Sequence, residues 1–246
     1  MTSKKIMRDN IYSQPLERVN GFRFDQNVAR VFPDMIRRSV PGYEEILQGI
    51  SLFTAYHVKP HTRCYDLGSS LGAASLAMQR GIKKPGVEIY AIDNSPDMIR
   101  ESKNYIKNHP EEAPIHLICA DFRDIKIENA SVVVLNYTLQ FLDPAEREER
   151  LRIIYQGMLP NSVLIVSEKV LFPDAQEHEF QYAMHLAFKK AQGYSNLEIS
   201  QKRTSLENVL IAETFETHKT RLLKIGFKQC FQWFQYFNFI SMAAIK

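Results

Sequence analysis

A short stretch at residues 63–74 combines an acid and two glycines in a spacing that suits ligand binding. The pattern predicts a strand that ends at Asp66 and turns through Gly68 into a helix, with Gly72 allowing close packing, because glycine has no Cβ to obstruct the turn. A carboxylate here would meet a positive group on a ligand and would repel the pyrophosphate of a dinucleotide. The stretch therefore favours S-adenosylmethionine over a nicotinamide cofactor, and ordinary strand-to-helix geometry is the alternative.

Further candidate ligand-binding residues follow short apolar runs later in the chain. Asp93 stands about 20 residues after the glycine turn, where an acid can accept hydrogen bonds from both ribose hydroxyls or can simply assist the start of a helix. Asp121 can accept the adenine amino group, with the Phe122 amide donating to the ring, or can be an ordinary loop acid. Asn136 can hold the amino-acid end of the cofactor or cap a helix.

Apolar runs of strand length alternate with longer amphipathic stretches through the middle of the chain. Runs of this kind suit strands that are buried on both faces, and strands followed by helices predict a parallel, doubly wound α/β sheet with ligands at its carboxyl edge. Two aromatic-rich runs at the end of the chain predict an antiparallel pair that closes the sheet. The runs are residues 87–92, 115–119, 132–136, 163–167, 230–236 and 239–245.

Two segments lie outside this core pattern. Residues 25–58 predict two helices before the first strand, with Arg30, Arg37 and Arg38 on a face that is solvated or, as the less favoured alternative, part of an interface. Residues 1–20 show no periodicity and predict a mobile or partner-contacting arm. Residues 172–209 are long for an insertion. They can form a lid that brings Lys202 and Arg203 over the site, or a solvated basic loop, which the sequence favours.

Length and composition indicate one large domain, because 246 residues with 45% hydrophobic content can bury a substantial core. A net charge of +3 does not indicate nucleic-acid binding. The three cysteines are far apart, so we expect reduced thiols, and no residue spacing indicates a metal site. Without a signal sequence or the ~20 apolar residues of a membrane span, the sequence predicts a soluble, cytoplasmic protein.

Six motifs spread along nearly the full length of the chain form a pattern of their own: residues 32–36 (FPDMI), 38–43 (RSVPGY), 65–68 (YDLG), 92–95 (IDNS), 138–142 (TLQFL) and 200–204 (SQKRT). The acid-ending glycine turn, the acids after later strands and the closing strand pair resemble class I S-adenosylmethionine-dependent methyltransferases, and the six motifs resemble the carboxy-S-adenosyl-L-methionine synthase family. The family pattern carries cysteine and arginine where Ser69 and Leu71 stand, and a backbone turn tolerates both departures.

The resemblance implies a Rossmann-like fold with a seven-stranded, mostly parallel sheet, an antiparallel last strand and extra N-terminal helices, in a single domain over residues 1–246. It implies that prephenate becomes phenylpyruvate while its carboxylate is captured, through a sulfonium ylide, as carboxy-S-adenosyl-L-methionine. It also implies a homodimer and a functional link to an enzyme that carboxymethylates the wobble uridine of tRNA. Carried over by position, the cofactor contacts would be Tyr43, Gly68, Ser69, Ser70, Asp93, Asn94, Asp121, Phe122, Asn136 and Arg203, and Arg203 would pair with the new carboxylate.

Three other functions are compatible with parts of the pattern. An ordinary methyltransferase shares every core motif, and a non-catalytic cofactor-binding module could support tRNA modification without turnover. A nicotinamide short-chain reductase also uses a glycine turn, but no tyrosine of this chain is followed four residues later by lysine.

Overall fold

The computed structural model describes residues 7–107 and 113–246. Within them, the main path of one sheet runs in the order β3-β2-β1-β4-β5-β8-β7, and β6 pairs with β5 outside this path. β8, the last strand, runs antiparallel to both of its neighbours, β5 and β7, as predicted. The strands are β1 (Arg63–Leu67), β2 (Glu88–Asp93), β3 (Ile115–Cys119), β4 (Ala130–Asn136), β5 (Met158–Leu171), β6 (Glu213–Thr214), β7 (Gln229–Tyr236) and β8 (Phe239–Ile245).

Helices cover both faces of the sheet, which is the doubly wound arrangement that the alternating pattern predicts. On one face α2 and α3 pack against the strands, and on the other α5 and α8 do so. The helices are α1 (Gln26–Ser39), α2 (Tyr43–His57), α3 (Ala73–Gly81), α4 (Pro96–Lys107), α5 (Pro144–Gly157), α6 (Ala175–Ala191), α7 (Asn196–Leu206) and α8 (Phe215–Ile225). None of these helices is both long and apolar enough to cross a membrane.

The central strands are apolar at successive positions because both of their faces are buried. Along β4, Val132 and Val134 lie in the core beneath α2 and α3, whereas Val133 and Leu135 lie in the core beneath α5 and α8. This alternation follows from the twofold repeat of side-chain direction in a strand. Because β1 to β5 pair in parallel, their carboxyl ends lie at one edge of the sheet.

The N-terminal segment differs from the expected mobile or partner-contacting arm. Residues 1–6 of that prediction lie outside the described residues, but residues 7–22 pack against α1 and α7 of their own chain. The Asp9 side chain is 2% exposed, and its backbone amide donates to Asp34 at 2.8 Å. Gln201 accepts a hydrogen bond from the Leu16 amide at 2.8 Å. Contacts between residues this far apart in the sequence produce no repeat of apolar residues, so the sequence pattern did not predict that this segment docks on its own chain.

The basic residues of two segments also differ from expectation. Arg38 does not lie on a solvated helix face: it is 5% exposed, pairs with Asp34 at 3.1 Å and lies 3.9 Å from the centre of the Tyr194 ring. The predicted basic loop around Lys202 and Arg203 is helix α7, begun by a capping box at its N-terminus. Lys202 is buried there, and Arg203 is exposed.

Candidate active site

A cavity of about 840 Å³ lies at the carboxyl ends of β1, β2 and β4 and extends to α6 and α7. Every residue that the sequence nominated for cofactor binding lines this one cavity. A ligand that touched all of them would span the sheet edge from β3 to α7. The residues are Tyr43, Gly68, Ser69, Ser70, Asp93, Asn94, Asp121, Phe122, Asn136 and Arg203, together with Asp66.

The glycine turn after β1 has the geometry that its residues require. Gly68 has a φ of 81°, and a Cβ on it would come within 2.4 Å of the Thr138 hydroxyl. The amides of Gly68 and Ser69 both donate to the carbonyl oxygen of Ile92 at 2.8 Å. These two amide hydrogen bonds tie the turn to the end of β2.

The carboxyl of Asp66 is buried at the floor of the cavity. One of its oxygens accepts from the Ser75 hydroxyl at 2.6 Å, and the other is buried with no hydrogen-bond partner among the described residues. Burial raises the pKa of Asp66 to about 6, against the opposing effect of its hydrogen bonds from Ser75. Asp66 thus offers an ionisable, unpaired oxygen to a positively charged ligand group.

Asp93 connects the glycine turn to the start of α4. Its two carboxylate oxygens accept from the backbone amides of Ser70 at 2.8 Å and Ser95 at 2.9 Å. Ser95 caps α4 through its own hydroxyl, which accepts from the Met98 amide at 3.2 Å. The two amide hydrogen bonds hold the Asp93 carboxylate in place. Because Ser95 caps the helix, the remaining lone pairs of Asp93 are available at the cavity wall.

Asp121 already has a cationic partner at the adenine end of the expected site. The Arg123 guanidinium donates to both Asp121 oxygens, at 3.0 and 2.7 Å, and also pairs with Glu146 at 3.1 Å. These bonds hold the pKa of Asp121 below its usual range. A contact with an adenine amino group would have to share oxygens that Arg123 occupies, so the structure favours the alternative, an ordinary loop acid, more than the sequence did.

Several buried polar atoms of the cavity wall have no hydrogen-bond partner among the described residues. They include the Ser69 hydroxyl, the Asn136 amide oxygen and the Tyr137 hydroxyl. Tyr43 stacks on Tyr137 with ring centres 6.4 Å apart. Unsatisfied buried polar atoms are costly, and a cluster of them around one cavity indicates a polar ligand.

The far wall of the cavity consists of residues that the sequence-based list of site residues did not include. Four of them, Tyr182, His185, Leu186 and Lys189, lie on one face of α6, and Lys169 lies near the end of β5. Their spacing along α6 is a helical stripe, which was visible in the sequence but is also typical of an ordinary core-facing helix. The Arg203 guanidinium lies 5.5 Å from the centre of the Tyr182 ring, beside this wall.

Comparisons with known proteins agree with this geometry. A sequence profile described as a methyltransferase domain matches residues 65–161. Carboxy-S-adenosyl-L-methionine synthase from Psychromonas ingrahamii is 52% identical over 97% of this chain and 98% of its own length. The synthase of the same name from Vibrio cholerae is 50% identical over the full length of both chains.

Solved structures agree with the fold. An O-methyltransferase family protein from Burkholderia thailandensis is 14% identical, covers 94% of this chain and 65% of its own, and gives a TM-score of 0.62. Human N-acetylserotonin methyltransferase, solved with S-adenosylmethionine, is 17% identical, covers 90% of this chain and 55% of its own, and gives 0.57. These likenesses confirm the predicted class I methyltransferase fold.

Proposed function

Since the chain belongs to the carboxy-S-adenosyl-L-methionine synthase family, we propose that it converts S-adenosyl-L-methionine and prephenate into carboxy-S-adenosyl-L-methionine and phenylpyruvate. Family membership makes the chain an enzyme of the transferase class. Prephenate as the second substrate, and supply of the product to an enzyme that carboxymethylates the wobble uridine of tRNA, are parts of the proposal that rest on the resemblance.

The cavity wall fits S-adenosylmethionine. The unpaired oxygen of Asp66 suits the positive amino group, and the unpaired Asn136 oxygen lies at the end of neighbouring β4, where it can accept from the same group. Asp93, on β2, would accept from the ribose hydroxyls. Asp121 and Phe122 would face the adenine, with the Asp121 contact shared with Arg123. Bound in this way, the cofactor supplies a methyl group that its sulfonium makes acidic.

The proposed reaction balances without a further reactant. Prephenate loses its ring carboxylate as carbon dioxide and its ring hydroxyl as hydroxide, which leaves phenylpyruvate. A carbon–carbon bond forms between the methyl carbon and carbon dioxide, and the lost methyl proton and the hydroxide make water. The task of the chain is to hold both substrates close together and to keep bulk water from quenching the reactive carbon.

The observation that carries this proposal is the positive charge on the far wall of the cavity. Transfer of an uncharged methyl group needs no cation there, whereas a carboxylate-bearing substrate and product do. Arg203 lines the cavity beside Tyr182 and can grip a carboxylate with two parallel hydrogen bonds. We assign it to the carboxylate that is transferred.

Turnover with the two substrates tests the proposal. Enzyme incubated with S-adenosylmethionine and prephenate should release phenylpyruvate and a nucleoside product heavier than S-adenosylmethionine by one carbon dioxide, both seen by mass spectrometry. An ordinary methyltransferase would instead release S-adenosylhomocysteine, and a non-catalytic module would release neither. Mass spectrometry of any ligand that co-purifies with the enzyme gives an independent reading.

A further inference from the structure

The far wall of the cavity holds more positive charge than the transferred carboxylate needs. Lys169 from β5, Lys189 from α6 and Lys202 from α7 line the same cavity as Arg203. Lys189 is 9% exposed and Lys202 6% exposed. Burial of an ammonium group is unfavourable unless an anion compensates it, so the partners of each lysine decide what the cluster is for.

Lys202 has partners within its own chain. Its ammonium donates to the Ser39 hydroxyl at 2.9 Å and lies 3.8 Å from an Asp9 oxygen. Tyr194 also donates to Asp9, which fixes that acid against α7. These contacts give Lys202 a structural role in joining α1, α7 and the N-terminal segment.

Lys169 and Lys189 have no such partner. In the part of the chain that the structure describes, neither ammonium lies within ion-pair distance of a carboxylate, and neither donates a hydrogen bond to a protein atom. The Lys169 ammonium lies 5.9 Å from the centre of the Tyr182 ring, the ring that Arg203 also faces. Two buried or half-buried ammonium groups thus border one cavity without an anion.

Burial and mutual repulsion shift the pKa values of the basic residues in this wall. Burial, together with repulsion from Lys202 and Lys169, lowers the pKa of Lys189 to about 7. Burial also lowers the pKa of Lys169, with Arg203 adding to the effect. His185 does not compensate, since burial lowers its pKa to about 3 and leaves the ring neutral. An anion bound between these groups would relieve the repulsion.

We propose that Lys189 and Lys169 bind the keto-acid carboxylate of the second substrate, the carboxylate that is retained, while Arg203 holds the one that is transferred. The assignment rests on the proposed function, in which the second substrate carries two carboxylates and loses one. Lys169 and Arg203 both lie beside the Tyr182 ring, and Lys189 lines the same cavity, which matches a ring-bearing dicarboxylate. They also make the enzyme selective for a dicarboxylate over a monocarboxylate donor.

Binding measurements without turnover test the assignment. S-adenosylhomocysteine lacks the methyl group, so its complex with the enzyme binds the second substrate without reacting. Calorimetry on this complex would give the affinities of prephenate and of phenylpyruvate, which carries only the retained carboxylate. Lys189→Met should weaken both by about ten- to a hundredfold. Lys190→Met, an exposed neighbour on the same helix, is the matched control and should change neither by more than about twofold.

A second comparison separates the two cationic positions. Arg203→Ala should weaken prephenate much more than phenylpyruvate, whereas Lys189→Met should weaken both alike. Lys189→Arg should recover part of the lost affinity because it restores the charge. In steady state, Lys189→Met should raise the KM for prephenate more than it lowers kcat.

The possible results distinguish this assignment from the proposed function. If wild type binds and turns over prephenate and Lys189→Met binds both acids as well as wild type, the assignment is wrong and the proposed function stands. If wild type does not bind prephenate, both fail. Lys189→Met is expected to fold, because replacing an unpaired buried cation by an apolar side chain is often stabilising. Relief of the repulsion should raise the melting temperature of ligand-free Lys189→Met above that of wild type.

Discussion

At the scale of single residues, the site holds polar groups that are unfavourable in the ligand-free chain. Within residues 7–107 and 113–246, one buried oxygen of Asp66 has no hydrogen-bond partner and the buried side chain of Lys189 has no anionic partner. The raised pKa of Asp66 and the lowered pKa of Lys189 have the same cause, since burial disfavours the charged form of each. An acid and a base that line one cavity match two substrates, of which S-adenosylmethionine carries a positive amino group and the second substrate carries carboxylates.

Asp93 tests the ribose assignment. Asp93→Ala should weaken S-adenosylmethionine binding by roughly 1.5–3 kcal/mol, as expected for lost hydrogen bonds to a charged acceptor. Calorimetry measures the loss. Asp97→Ala is the control. Asp97 stands in the first turn of α4, which follows Asp93, pairs with Arg100 and does not line the cavity. Unchanged affinity in a folded Asp93→Ala variant would leave Asp93 with only its bonds to Ser70 and Ser95.

Arg203 tests the pairing with the transferred carboxylate. Arg203→Ala should leave S-adenosylmethionine binding nearly intact while weakening carboxy-S-adenosylmethionine about ten- to a hundredfold. Arg203→Lys should restore little, since an ammonium cannot form the two parallel hydrogen bonds of a guanidinium. Titration of both ligands into each variant decides the matter. Equal losses for the two ligands would mean that Arg203 supports the site in general.

Residue types and positions after strands predicted the candidates at the strand ends, whereas Tyr43 and Arg203 came only from the family resemblance. The structure places all of them on one cavity. Lys169 and Lys189 were not predicted as cavity residues, and the lid that would bring Lys202 and Arg203 over the site was the alternative that the sequence did not favour. Lys202 is buried beside Ser39 of α1 and Asp9 of the N-terminal segment, and Asp9 is 193 positions away in the sequence. A basic pair within a polar stretch is equally compatible with a solvated loop, so the sequence could not separate the two.

At the scale of elements, strand and helix positions followed from hydrophobic periodicity, and the docking of irregular segments did not. The predicted run 115–119 coincides with β3, and run 163–167 lies inside the longer β5. Helix α7 was missed because its amphipathic pattern is weak, and its start depends on a capping box at Ser195 and Glu198. Its inner face meets the N-terminal segment, which tertiary contacts alone hold in place.

Gln201 tests whether the N-terminal segment is held on α7 as the structure has it. Its side chain accepts from the Leu16 amide at 2.8 Å and donates to the carbonyl oxygens of Tyr12 at 3.0 Å and Gln14 at 2.8 Å. Gln201→Ala should speed hydrogen exchange at the Leu16 amide by about tenfold. The exposed neighbour Thr204→Ala should not. Equal exchange in the two variants would show that other contacts hold the segment.

At the scale of the whole molecule, the two N-terminal helices extend the chain beyond the cofactor-binding core. Helix α2 exposes Leu52 and Tyr56 at 71% and 85%, a pair of apolar side chains that a partner subunit could cover. We therefore retain the prediction of a homodimer, which the family resemblance also implies.

Light scattering tests the dimer. The wild-type protein should have the mass of two chains at micromolar concentration, and Tyr56→Asp should shift it toward one chain by placing a charge in the contact. Leu223→Asp is the control, since Leu223 is an exposed apolar residue of α8 on the opposite face of the sheet. A monomeric wild-type protein would refute the prediction.

In the proposed reaction, the ring carboxylate of prephenate becomes the carboxylate of carboxy-S-adenosylmethionine. Prephenate carrying an isotopic carbon label in its ring carboxylate, supplied with S-adenosylmethionine in unlabelled bicarbonate buffer, tests this transfer directly. Mass spectrometry should find the label in the carboxymethyl group of the product, with unlabelled phenylpyruvate released in equal amount. An unlabelled carboxymethyl group, or release of S-adenosylhomocysteine in its place, would contradict it.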